Sequence, residues 1–177
     1  EFDTSNVTNM QGMFGETDQF NQPVEFDTSK VTTMRSMFYY ALQFDQPVTF
    51  DLTDVTTMQG MFGGANKFNQ PVTFTNTSNV QDINNLFYAA AAFNQQFEFD
   101  TSSVHNMYGL FYGAKAFNKE LTFVTDNVTN MQHMFYDAIN FNSPLNFSNT
   151  LNVTSMRNMF NGASTFNQPI VMDVDNV

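Results

Sequence analysis

The chain has no cysteine and no tryptophan, and only six lysines and arginines stand against seventeen aspartates and glutamates. Without cysteine there is no disulfide framework and no thiol nucleophile, and thiols say nothing about the redox compartment. The shortage of cations leaves a formal net charge of −11. That argues against binding to nucleic acid, where Lys and Arg must neutralise phosphates, and against adsorption to anionic lipid. Basic proteins, cations or neutral carbohydrate are left as partners. Long apolar runs are missing too. The longest, Tyr88 to Phe93, is far too short to span a bilayer, so no membrane insertion by this segment is expected.

What the chain has in abundance is phenylalanine, 22 residues of it, spaced by a repeat. One motif recurs seven times at intervals of 24 or 25 residues, clearest as F-D-T-S-N-V-T-N-M-Q-G-M-F…F-N-Q-P-V-E from Phe2 to Glu25. Valines anchor it at Val7, Val31, Val55, Val80, Val104, Val128, Val153 and Val177. A fixed period of this size predicts a stacked solenoid, because one unit cannot bury its apolar face without neighbours. The units are 2–25, 26–49, 50–73, 74–98, 99–122, 123–146 and 147–171, with a partial unit at 172–177. The terminal units lack atypical polar caps, so the array reads as a segment of a longer chain or as one that associates end to end.

Each unit carries two periodicities. Val7, Met10, Met13 and Phe14, and likewise Val31, Met34, Met37, Phe38 and Ala41, step by three and four residues, which predicts a helix of about three turns with one apolar face. Ser5, Ser29, Thr53, Ser78, Ser102 and Asp126 stand where a helix cap would, and Gly15, Gly64, Gly113 and Gly162 where positive φ would end it. The second period is two. Val24/Phe26, Val48/Phe50, Val72/Phe74, Phe97/Phe99, Leu121/Phe123 and Leu145/Phe147 predict a short strand per unit, entered through a column of prolines. The expected fold is therefore an α/β, right-handed, leucine-rich-repeat-like solenoid with one short parallel strand and one helix per coil.

The segments F-N-Q-P-V at Phe68 to Val72, D-T-S-N-V-T-N-M at Asp3 to Met10 and M-F-x-x-A at Met37 to Ala41 resemble the BspA-type leucine-rich repeats of cell-surface proteins. The resemblance covers all seven units. Phe26, Phe50 and Phe99 stand where that family commonly has tryptophan, and the link from proline to this aromatic is one residue shorter. The resemblance implies an extracellular or cell-surface location and a role in adhesion.

Three sets of surface residues are candidates for function. Glu25, Thr49, Thr73, Glu98 and Thr122, flanked by Asp27, Asp51 and Asp100, form an acidic and hydroxylated strand face suited to a basic protein, a glycan or Ca²⁺. The aspartates also suit the start of a following helix. Tyr39, Tyr88, Tyr112 and Tyr136 fill one column and would offer aromatic area with a polar tip to a sugar or to a neighbouring filament, or cover the core rim. Asn6, Asn76, Asn127, Asn146 and Asn152 lie in N-x-S/T sequons, acceptors for glycans in a secreted eukaryotic chain. An Asn column at Asn21, Asp45, Asn69, Asn94, Asn118, Asn142 and Asn167 reads as a structural ladder.

No catalytic constellation, phosphate loop or metal-ligand cluster is visible. His105 and His133 read as solvated side chains, and the twelve methionines as core. The expectation is a non-enzymatic module without cofactor. It serves as an adhesive or protein-interaction scaffold or, alternatively, as part of a self-assembling, glycosylated extracellular filament.

Overall fold

The computed structural model describes residues 2–170, so residue 171 and the partial unit 172–177, with Val177, lie outside the described residues. Successive coils stack with their backbones parallel. One bridge recurs at the same point of each coil, joining Asn9, Thr33, Thr57, Asp82, Asn106, Asn130 and Ser155 in single file.

The expected helices do not form. Among the described residues there is no α-helix, only a 3-10 turn at Thr77–Asn79. The stretch from Met34 to Phe44 shows what replaces it. The N–H groups of Met37, Tyr39, Ala41 and Phe44 donate to carbonyls three residues back, at 3.0–3.2 Å. Those of Met34, Ser36, Phe38 and Tyr40 donate instead to Thr57, Gln59, Met61 and Gly63 of the next coil, at 2.7–3.1 Å. An α-helix would turn all of these amides inward, four residues back. The segment is thus a chain of β-turns, stitched to its neighbour through alternate amides.

The backbone dihedrals make the same point. Gly12, Ser36, Gly60, Asn85, Gly109, His133 and Asn158 all have positive φ, and so do Glu16, Tyr40, Gly64, Ala89, Gly113, Asp137 and Gly162 four residues later. A right-handed helix cannot pass through a left-handed residue at every fourth position, whereas a turn readily takes one at its third residue. Apolar side chains stand at the corners of successive turns, so the chain returns to the core every three or four residues. This is the spacing of a helix face, produced by a different backbone. Gly15 does not take positive φ; Glu16 beside it does. Ser5, Ser29 and Thr53 cap no helix, and instead donate N–H and hydroxyl to Asp3, Asp27 and Asp51 two residues before them.

Inward–outward alternation holds along every predicted strand, but only four of them pair. Val48–Asp51 (β1) pairs in parallel with Val72–Thr75 (β2), and Leu121–Phe123 (β3) with Leu145–Phe147 (β4). Val24–Phe26 and Phe97–Phe99 stay extended and unpaired. The outward residue is Thr or Asn in the paired strands and Glu in the two unpaired segments. Phe97 also replaces the Val or Leu of the other coils; its ring tilts against Phe87, Phe93 and Phe111.

Two files of phenylalanine run through the core. Phe14, Phe38, Phe62, Phe87, Phe111, Phe135 and Phe160 stack coil on coil at 5.3–5.7 Å between ring centroids. Phe20, Phe44, Phe68, Phe93, Phe117, Phe141 and Phe166 stack at 5.6–6.0 Å. The files touch within each coil at 3.9–4.3 Å. Met34, Met58, Met107 and Met131 are wholly buried beside them, whereas Met13 of the first coil is 42% exposed, against the expectation that all methionines are core. The Asn column is a continuous ladder. Each side-chain oxygen, from Asn21 through Asp45, Asn69, Asn94, Asn118 and Asn142, accepts the backbone N–H of the same position one coil on, at 2.8–2.9 Å.

Candidate interaction surface

The strand side of the array is where the proposed acidic face lies. Glu25, Thr49, Thr73, Glu98, Thr122 and Asn146 are all exposed, one per coil. Because two of the extended segments are unpaired, this face is split. Grooves open at three unpaired seams. One of about 540 Å³ is lined by Pro23–Asp27, Pro47 and Thr49; one of about 310 Å³ by Val72–Phe74 and Gln96–Glu98; one of about 400 Å³ by Gln96–Phe99 and Glu120–Phe123. The alternation of residues is the same in paired and unpaired segments, so it gave no sign of these openings.

The flanking aspartates have a local task that explains their position. With no helix to favour, Asp3, Asp27, Asp51 and Asp100 accept hydrogen bonds from the residue two places on and so close a turn. The hydroxyl of Ser29 and then its N–H hold the Asp27 carboxyl below its usual range. Thr53 and Asn76 do the same for Asp51, Ser102 for Asp100, and Ser148 and Asn149 for Asp126. Lowered folded values mean stability that is present above the unfolded carboxylate pKa, about 4, and lost as pH falls through the folded value. Wild type is therefore expected to lose more of its thermal stability than Asp51→Asn between about pH 6 and pH 2. Melting curves across that range check it; parallel losses would show that the turn bonds do not couple to protonation.

Of the tyrosine column, three members meet. Tyr88 and Tyr112 lie 5.0 Å apart, and Tyr112 and Tyr136 stack at 4.6 Å. Tyr39 stands away from them because Gly63 occupies the column between. Its ring and that of Tyr40 meet edge-on at 4.6 Å and lean over Gly63 and Gly64 of the next coil. Column reading missed Tyr108 and His133, which lie in other columns yet join the patch. His133 sits 5.4 Å from Tyr108 and 5.5 Å from Tyr136, half-buried, with Nδ1 shut off from solvent and without a hydrogen-bond partner among the described residues. It is not the solvated side chain expected; His105 is exposed.

All five sequon asparagines are exposed, and each side chain bonds a neighbouring coil. Asn127 and Asn152 donate to the carbonyls of Ser102 and Asp126, Asn76 to the Asp51 carboxylate and Asn146 to Glu120. Asn6 accepts from the Lys30 ammonium. Asn76 is also the extra residue of its 25-residue unit, held at φ 56° before the 3-10 turn. Among the described residues no three His, Asp or Glu side chains gather to hold a metal ion, and no helix is long and apolar enough to cross a membrane.

Turns, parallel bridges and side-chain ladders repeated coil on coil define a repeat protein. The chain belongs to the family described as Mycoplasma protein of unknown function, DUF285, which matches residues 1–98 and again 96–177. The match recurs in tandem, and each copy takes in several coils. No curated protein and no solved structure matches the chain.

Proposed function

We propose that this chain is a non-enzymatic module of an extracellular or cell-surface protein, acting as an adhesive or protein-interaction scaffold. The observation that carries this reading is the exposed strand side, where a continuous core presents one outward polar residue per coil along the array. Its likeness to BspA-type leucine-rich repeats in F-N-Q-P-V and D-T-S-N-V-T-N-M supports the same role. The expected result is saturable binding of the immobilised chain to at least one member of a panel of purified matrix proteins and glycans, read by biolayer interferometry. Absence of binding across the panel would sink the reading.

A second reading, in-register stacking of copies into a filament, is favoured by the polarity of the seams. Each coil donates the alternate amides of its turn segment to the next coil, while an amide beside its valine, such as Thr32 or Thr56, donates back to the preceding one. The two ends of the array therefore present different and complementary backbone groups. Long filaments in negative-stain images would select it; discrete short rods would select the scaffold.

A further inference from the structure

We propose that the groove between Gln96–Phe99 and Glu120–Phe123 is a slot for an arginine side chain of a protein partner. The inference rests on the scaffold reading and adds the place and chemistry of contact. The slot is framed at both ends. The Asn118 N–H bonds Asn94 Oδ1 at 2.9 Å on one side, and Thr101 Oγ1 bonds the Val124 carbonyl at 2.8 Å on the other. Between these struts Gln96 Nε2 reaches across to the Glu120 carbonyl at 3.1 Å. The opening is therefore held in place by bonds above and below it, and is not a frayed edge.

What lines the slot selects a cation. Glu98 and Glu120 stand on its two rims, both exposed. The Glu120 carboxylate accepts one bond, from Asn146 at 3.2 Å, and no lysine or arginine lines the groove. The N–H and C=O groups of Phe97, Glu98 and Phe99 make no hydrogen bond among the described residues, although the matching groups of β1 and β2 pair with each other. Carbonyls left open beside two carboxylates are acceptors waiting for donors. Phe99, half-buried in the groove wall, supplies a ring for a planar cation to lie against, while Phe97 and Phe123 close the floor from the core.

A guanidinium matches this set better than an ammonium does. It carries five donors in a fixed plane, is weakly hydrated and stacks on rings, whereas lysine is a strongly hydrated point charge. A volume near 400 Å³ takes a side chain, and the bridge from Asp82 to Asn106 keeps the coils too close for a whole strand to enter between them. A metal ion would find only two carboxylates here.

The test uses fluorescein-labelled octa-arginine and fluorescence anisotropy at about 0.15 M salt, where distant surface charges are screened. Glu98→Gln/Glu120→Gln is expected to bind roughly tenfold more weakly than wild type, the sum of two partly shielded ion pairs. Asp18→Asn/Asp54→Asn removes the same charge from exposed positions outside the slot, and is expected to stay within about twofold. Equal losses in the two variants, or no binding by wild type, would overturn the slot. Carbonyl carbon NMR shifts of wild type alone give a second readout: octa-arginine should move those of Phe97–Phe99, whose oxygens would accept from the guanidinium, and unchanged shifts there also overturn it. A chain that binds a matrix protein while both variants lose octa-arginine equally keeps the scaffold reading and rejects only the slot.

Discussion

Phe62→Ala is expected to lower the unfolding free energy by about 3–5 kcal/mol, the range for a buried aromatic cut back to a methyl group. Phe62 has no exposed surface and lies in the middle of its file, 5.5 Å from Phe38 and 5.7 Å from Phe87, with Phe68 at 4.3 Å in the same coil. Its neighbours cannot close the hole. Coils two, three and four are tied by backbone bonds from Phe38 to Met61 and from Phe62 to Leu86, which fix the distance between rings. The loss should also change the shape of the transition. In a stacked array each coil is stabilised by the two it touches, so a defect in the third coil weakens both interfaces and divides the array. Urea unfolding followed by circular dichroism should therefore broaden or split as well as shift. Phe14→Ala, at a half-buried position in the first coil, should cost less and leave a single transition. Superimposable curves for wild type and Phe62→Ala would contradict the proposed core.

The same nearest-neighbour logic explains how the split strand face is tolerated. The seam at Phe97–Phe99 lacks ladder bonds, yet the Phe93–Phe117 stack, the Asp82 to Asn106 bridge and the Asn94 to Asn118 bond all cross it. Each coil contact has several independent ties, so a surface opening costs one of them and leaves the core continuous. Such an arrangement lets the outer face vary from coil to coil while the inner columns stay uniform.

The period, the inward columns and the Asn ladder were legible in the sequence because each depends on one residue type recurring at one position. The backbone path was not. Met34, Met37, Phe38 and Ala41 fit a helix face and a chain of turns equally well, since both return to the core every three or four residues. The distinguishing evidence lay in the left-handed columns, which mix Gly with Ser, Asn and His in one and with Glu, Tyr, Ala and Asp in the other. No single side chain marks them. Gly12, Gly60 and Gly109, recurring in the middle of the supposed helix, were the readable warning, since glycine there is costly to a helix and ordinary in a turn. The cluster of Tyr108 and His133 with Tyr112 and Tyr136 was hidden for another reason. Column analysis compares equivalent positions, and these residues meet across columns.

Asn69→Leu is expected to cost about 1–3 kcal/mol, the penalty for stranding a partly buried donor without an acceptor. Asn69 Oδ1 accepts the Asn94 N–H at 2.8 Å and the Gln95 side-chain amide at 3.1 Å, both partly buried. Leucine is wide enough to keep water out and supplies no oxygen, so the Asn94 N–H loses its partner, while the Gln95 amide keeps only the Asn69 backbone carbonyl, at 2.8 Å. Only an acceptor is needed at this position. Asp45, one coil earlier in the same column, does the same work with a carboxylate, receiving Asn69 at 2.9 Å and Gln70 at 3.1 Å. The control is Asn66→Ala, the same residue type in the same coil but exposed, with only its backbone carbonyl bonded, to Ala92. That change should stay within about 0.5 kcal/mol of wild type. If the two variants melt together, the column is decoration on a stack held by its phenylalanines. If Asn69→Leu falls well below Asn66→Ala, the ladder is a second and separate tie between coils, and the grooves of the strand face can open without loosening the array.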